Sequence, residues 1–406
     1  MQLYDLPLAF ALIGLALYAV LGGADFGSGF WQLVAGKGEH GDEIRAHARH
    51  AMAPVWEANH VWLIFVLTVV WTGFPLAFGS IASTLAIPFF VAGIGIVLRG
   101  GAYAIREAAA GSRWQRTLDT LFSVSSILTP FALGTMIGSI ASGRVHVGNP
   151  GGGFVSSWLN PTSIEVGLLA VATAAYTAAV FLSGDAERHG DHALAERFRA
   201  RALGAGVVAG AVATAGLVVL HSDADRLFHR LTRGPGLPAL IASLLAGAAT
   251  LLLVWTRRYE PARYTAALAV AATIVGWALA QNPTFLPGLT VRQAAAPHDT
   301  QLVLTLAVTA GAVLLFPSLA LLFRLTLGGE LRAGDMTSKP APTRTADWRP
   351  GRVEARLAGA FLIAGGGFLT AATTGWAHAI GVVCLFGFII SGYRAVLPEN
   401  LTDDTP

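Results

Sequence analysis

The chain has 406 residues, 54% of them hydrophobic and 13% charged, with a formal net charge of +3 and a single cysteine. Soluble domains carry about a quarter charged residues, so this composition excludes an ordinary soluble enzyme and makes lipid the solvent. The lone Cys384 excludes an intrachain disulfide or thiolate cluster. The Lys and Arg residues fall in short loops between apolar runs, where they read as topology signals rather than as a nucleic-acid surface.

In chain order, the apolar runs predict helices over 7–35, 51–72, 79–105, 117–141, 163–184, 202–221, 237–256, 264–281 and 299–324. These lengths are close to the roughly 20 residues that cross a bilayer. Met1 to Leu6 lacks a basic segment and the first run is too long for a leader, so the first helix is expected to stay as a span. A Gly-rich pair, 356–373 and 377–393, is expected as a helical hairpin that spans or re-enters. Only helices and closed barrels satisfy every backbone group in hydrocarbon, and these runs are far longer than barrel strands. The predicted fold is therefore an all-α polytopic membrane protein. Its organisation reads as a membrane domain over 1–324, a polar Pro-broken linker over 325–355, the hairpin over 356–396 and a polar tail over 397–406.

Basic residues cluster in alternate loops, around Arg45 and Arg49, Arg106 to Arg116, Arg188 to Arg201, Arg257 to Arg263, and Arg324 to Arg356. By the positive-inside rule those loops face the cytoplasm and the N-terminus faces outward. The loop 222–236 is the exception, because it is expected outside yet carries Arg226, Arg230 and Arg233 beside Asp223 and Asp225.

Ionisable residues within spans are costly and default to a functional hypothesis. Asp25, Glu57, Arg99 and Asp119 are the candidates for a proton pathway, with His60 one turn after Glu57. Counted from the basic ends, Asp25, Glu57 and Arg99 share a depth of roughly 9–15 Å. One guanidinium can neutralise one of the two acids and leave the other to titrate, or it can simply lock the bundle. Trp56, Asn59, His60 and Trp62 are supporting residues, Trp56 as an interfacial anchor and Trp62 as an indole needing a protein partner. Gly22, Gly23, Gly27, Gly29, Gly93, Gly95, Gly100 and Gly101 read as close helix contacts. Met1, Met52, Met136 and Met336 are the only methionines, and His60, His221 and His378 stand isolated. No residue is therefore read as catalytic or metal-ligating, and the chain is expected to hold no haem alone.

The segment Gly22-Gly23-Ala24-Asp25-Phe26-Gly27-Ser28-Gly29 resembles the D-G-F-D-x-G-x-G segment of cytochrome bd oxidase subunit II. The run Ala53-Pro54-Val55-Trp56-Glu57-Ala58-Asn59-His60-Val61-Trp62-Leu63 resembles that family's A-P-x-W-D-G-N-x-x-W-L signature. Pro75, Arg99 with Arg106, and Leu159-Asn160-Pro161 follow in the family's order. The resemblance implies two four-helix bundles plus a peripheral helix, in a bacterial plasma membrane, paired with a larger subunit I. That partner would carry haem b and haem d type groups and the quinol site. The complex would couple quinol oxidation to reduction of O₂ to water, and this chain would be a non-haem subunit of a quinol:O₂ oxidoreductase. It would add a cytoplasmic proton route through Glu57 and Asp25, with room for a quinone and small accessory membrane subunits. The sequence departs from the family where Gly22 and Ala104 replace acids, Ala58 replaces Gly, and Glu57 replaces Asp.

A secondary transporter is the rival reading, since it would also be all-α with acids at mid-depth. Transporters pair broken helices between two halves, whereas the intramembrane charges here crowd into the first four helices. That asymmetry favours the oxidase subunit.

Overall fold

A computed structural model describes residues 2–106, 115–148, 153, 155–327, 352–371 and 375–396. Within these ranges the side chains of 52–58, 105–106, 115–116 and a scattered set after 315 lie outside the description. The described residues form two units, Met1–Leu315 and Phe316–Pro406.

The elements are α1 (Asp5–Leu17), a π-helical turn (Tyr18–Gly22), α2 (Gly23–Leu33), α3 (Glu39–Gly73), α4 (Pro75–Thr84), α5 (Ala86–Arg106) and α6 (Gln115–Ala141). There follow α7 (Pro161–Arg188), α8 (His192–Asp223), α9 (Asp225–Thr232), α10 (Leu237–Trp255) and α11 (Tyr259–Gln281). A hairpin of β1 (Thr284–Leu286) and β2 (Leu289–Thr290) leads to α12 (Val291–Ala294) and α13 (His298–Leu327). The chain closes with α14 (Arg352–Ala371) and α15 (Gly375–Val396). Among the described residues eight helices are long and apolar enough to cross a membrane, or nine if one bent pair counts as a span.

Several boundaries differ from the sequence reading, and α8 begins at His192 where a start at 202 is expected. The helix expected over 51–72 begins at Glu39, because the polar stretch before it is amphipathic: Ile44 and Ala48, one turn apart, are buried. Hydropathy alone cannot register such a helix. The helix expected over 79–105 is two helices, broken at Leu85, and the first of them turns 120° from Asn59–Gly73. Pro75 at the first turn of α4 has no N–H to lose there. The orphan carbonyl of Gly73 instead accepts from Ala296 N at 2.8 Å and Gln301 Nε2 at 2.6 Å. The first span is interrupted by the π-helical turn, a feature that pattern reading does not resolve.

Caps explain other motifs. In Leu159-Asn160-Pro161, Asn160 Oδ1 accepts from Ser163 N at 3.0 Å and Pro161 opens α7. The arginines of the exceptional 222–236 loop also have structural work. Arg230 Nε donates to Ala280 O at 2.6 Å, and Arg226 Nη2 donates to Thr284 Oγ1 at 3.0 Å. Arg144 pairs with Asp223 at 2.7 Å.

In the larger unit, α2 packs on α3, α6 and α7; α5 packs on α6; α7 packs on α8 and α11; and α10 packs on α8 and α11. Small residues make this possible. A Cβ on Gly27 would lie 2.0 Å from Ala174 O, one on Gly29 would lie 2.2 Å from Ser126 Oγ, and one on Gly95 would lie 2.2 Å from Thr129 Oγ1. Gly93 and Gly101 have nothing within 4 Å, so the close-contact reading holds for some of these glycines and not for those two. In the second unit α14 and α15 pack together, with Gly387 against the Phe361 ring. The expected linker lies, from 328 to 351, outside the described residues, as does the expected tail from 397 on.

Candidate functional site: a buried ion pair on three helices

Asp25 on α2 and Arg99 on α5 meet in the interior, 2% and 0% exposed. Arg99 Nη2 donates to Asp25 Oδ1 at 2.6 Å and to the Asp25 carbonyl at 2.9 Å, while Nη1 donates to Oδ2. Arg99 Nε donates to Ser126 Oγ on α6 at 2.9 Å, and that hydroxyl donates onward to Phe122 O at 2.6 Å. The guanidinium also lies 4.8 Å from the Phe26 ring centre and 4.6 Å from that of Phe122. A planar fork held at two points and covered by two aromatic faces is an arginine arrangement that lysine cannot copy. The depth matching read from the sequence thus joins Asp25 and Arg99.

Around this pair, Asn59 on α3 is buried and its Nδ2 donates to Leu21 O in the π-helical turn at 3.1 Å. His60 sits beside the Phe26 ring at 6.4 Å. Trp62 is partly buried against the cluster of Tyr18, Phe26 and Ala174, with its ring edge-on to Phe65. Asp119 shares a face of α6 with Phe122 and Ser126, two turns nearer the helix start. Glu57 and Trp56 lie on the α3 backbone, but their side chains lie outside the described residues.

Sequence reading passed over an acid within a span. Glu165 on α7 is buried against Gly216 of α8, where an added Cβ would lie 2.4 Å from Glu165 Oε1. The intramembrane acids are therefore less confined to the first helices than the composition suggested. Glu165 lies about one turn into α7, and its burial comes from a glycine on another helix, which no local pattern displays.

Donors for a haem are sparse on this chain. Among the described residues no three His, Cys, Asp or Glu side chains are grouped as a metal site. His221 instead faces Asp225 at 3.5 Å, Met136 packs in an apolar cluster, and the His378 side chain lies outside the described residues. Among the described residues this donor set does not fit a haem.

The fold and this site define a multi-pass helical membrane protein organised about a buried Asp–Arg pair. Residues 4–326 match the model of the cytochrome bd terminal oxidase subunit II family, and the chain belongs to that family. It is 26% identical over 142 residues to the Bacillus subtilis (strain 168) cytochrome bd ubiquinol oxidase subunit 2, which covers 35% of this chain and 41% of that protein. It is 24% identical over 134 residues to the Escherichia coli (strain K12) cytochrome bd-I ubiquinol oxidase subunit 2, over 32% of this chain and 35% of that one. Sequence similarity thus spans less than half the length of these curated relatives. The fold is shared more widely. A chain of the bd oxidase from Geobacillus thermodenitrificans superposes with a TM-score of 0.67 at 24% identity, covering 81% of this chain and 99% of that one.

Proposed function

We propose that this chain is the haem-free second subunit of a bd-type quinol oxidase, supporting a haem-bearing subunit I that oxidises quinol and reduces O₂ to water. In this reading it lies in the bacterial plasma membrane with its N-terminus outside and its C-terminus in the cytoplasm. Residues 325–355 form a cytoplasmic linker between the 1–324 membrane domain and the 356–396 hairpin. Quinol and the haems belong to the partner, and small accessory subunits sit at the periphery.

The chain's own contribution is a proton route, with Glu57 as its principal acid. The observation that carries this is the pairing of Arg99. A guanidinium bound at two points by Asp25 and by Ser126 has one unit of charge, and Asp25 takes it. That leaves Glu57 as the second acid at the same depth, suited to binding and releasing a proton. Asp25 and Arg99 then act as the fixed frame of the route, Asp119 lies toward its cytoplasmic mouth, and Asn59, His60 and Trp62 line the α3 side, with Trp56 a supporting residue of the same helix.

The test is turnover of the assembled complex. Glu57→Gln is expected to assemble with an unchanged haem spectrum and to lose much of its turnover or proton uptake, and Glu57→Asp to recover part. Full proton-coupled turnover in Glu57→Gln would refute the assignment.

A further inference from the structure

Apart from the Asp25–Arg99 site, one set of titratable groups runs inward from a surface. His189, in the turn after α7, is 72% exposed, Asp185 on α7 is 20% exposed, and His47 on α3 is 13% exposed. The same carboxylate oxygen serves both imidazoles: Asp185 Oδ2 lies 3.6 Å from His189 Nδ1 and 3.7 Å from His47 Nε2. These gaps are slightly beyond hydrogen-bond length, and a small side-chain rotation closes each. His189 Nδ1 also lies 2.9 Å from the Asp185 carbonyl, which holds its ring over the carboxylate. His47 Nε2 lies 3.2 Å from Leu182 O, and its ring packs 5.5 Å from that of Phe198.

We propose that His189, Asp185 and His47 form the proton-collecting entrance of this subunit, passing protons from the surface into the contact between α3 and α7. The proposal rests on the reading of the chain as a proton-delivering oxidase subunit. Imidazole suits the task because it takes a proton on one nitrogen and gives one up from the other near neutral pH. Hydronium protonates His189 at Nε2, and its Nδ1 proton moves to Asp185 Oδ2. His47 Nε2–H donates to Leu182 O, so the His47 ring turns to offer its unprotonated Nδ1 to Asp185, takes the proton there and gives up the one on Nε2.

The need for such a device follows from supply. At pH 7 a single acceptor meets on the order of 10³ protons per second at the Smoluchowski limit of about 10¹⁰ M⁻¹s⁻¹, and at pH 8 about tenfold fewer. Typical turnover of about 1–10³ s⁻¹ consumes protons on that scale. Several exchanging groups at one mouth enlarge the target.

The neighbouring charges fit this role. Arg188 lies 3.7 Å from Asp185 Oδ1 and 3.2 Å from Glu260. From α11, Arg263 donates to Phe181 O at 2.6 Å and lies within electrostatic reach of Asp185. From α8, Arg201 lies 5.9 Å from the Phe198 ring. On α3 itself, Arg45 is bound to Asp42 and Arg49 donates to Arg45 O. Beside this file, His192 meets Glu187 at 3.0 Å and His40 meets Glu43 at 3.6 Å, which widens the exchanging surface.

The experiment uses the intact complex in proteoliposomes, comparing wild type with His189→Gln, His47→Gln and, as a control on another loop, His298→Gln. With weak buffer at pH 8, His189→Gln and His47→Gln should consume O₂ about three- to tenfold more slowly, approaching wild type at pH 6 and on addition of excess imidazole. The haem spectrum should be unchanged and His298→Gln should match wild type. A rate loss equal at both pH values and insensitive to imidazole, or wild-type rates at pH 8, would overturn the proposal. Failure of the underlying reading is distinct, since Glu57→Gln would then keep full turnover at every pH. If the underlying reading holds, Glu57→Gln is slow and imidazole does not restore it.

Discussion

At the scale of single residues, the Asp25–Arg99 pair decides what the interior can tolerate. Removing one partner of a buried pair leaves the other charge uncompensated and costs about 3–5 kcal/mol, whereas replacing both by apolar groups costs far less. Arg99→Leu should therefore sharply lower the thermal stability of the detergent-solubilised complex, and Asp25→Leu combined with Arg99→Leu should regain much of it. Equal loss in the single and double variants would mean that the pair is not coupled. Ser126→Ala removes the acceptor of Arg99 Nε, and a hydrogen bond to a charged group contributes about 1.5–3 kcal/mol, so a smaller drop is expected. Much of this was legible in the sequence, because acids and arginines in lipid-length apolar runs are rare enough to single out. The choice of Asp25 as the partner of Arg99 was not, since depth alone admits Glu57 equally. Glu165, His47 and Asp185 escaped because part of their setting is made by residues on other helices, and His189 because its contacts, one turn back at Asp185, lie at a helix end outside the apolar run.

Individual helices owe their positions to where side chains are missing. Gly27→Ala would place a methyl carbon 2.0 Å from Ala174 O and 2.6 Å from Ala178 Cβ, so α2 and α7 must separate. Overpacking of this kind costs about 1–3 kcal/mol, and the variant should melt earlier. Gly93→Ala meets nothing within 4 Å and should be neutral or slightly stabilising through helix propensity. If Gly93→Ala proved as harmful as Gly27→Ala, the helix register would be wrong. Apolar run length located the spans well, because lipid thickness sets it. It failed at Glu39, where the helix continues into water on an amphipathic face, and at Phe74 and Leu85, the two buried residues that flank α4.

For the whole molecule, the proposed orientation rests on the alternation of basic loops. A reporter fused after Arg344 should read cytoplasmic and one fused within 148–157 external; the reverse would sink both the topology and the proton entrance assigned to the Arg188 end. Residues 4–326 place this chain in the bd oxidase subunit II family, and the proposed function puts the redox centres on another chain. The most direct test of that division is to tag this chain, solubilise in mild detergent and purify. The expected product is a stoichiometric complex with a larger haem-bearing membrane subunit, whose Soret absorption disappears when the partner is deleted while the tagged chain remains folded. Recovery of the folded chain alone, with bd-type oxidase activity in the membranes unaffected by its loss, would contradict the account.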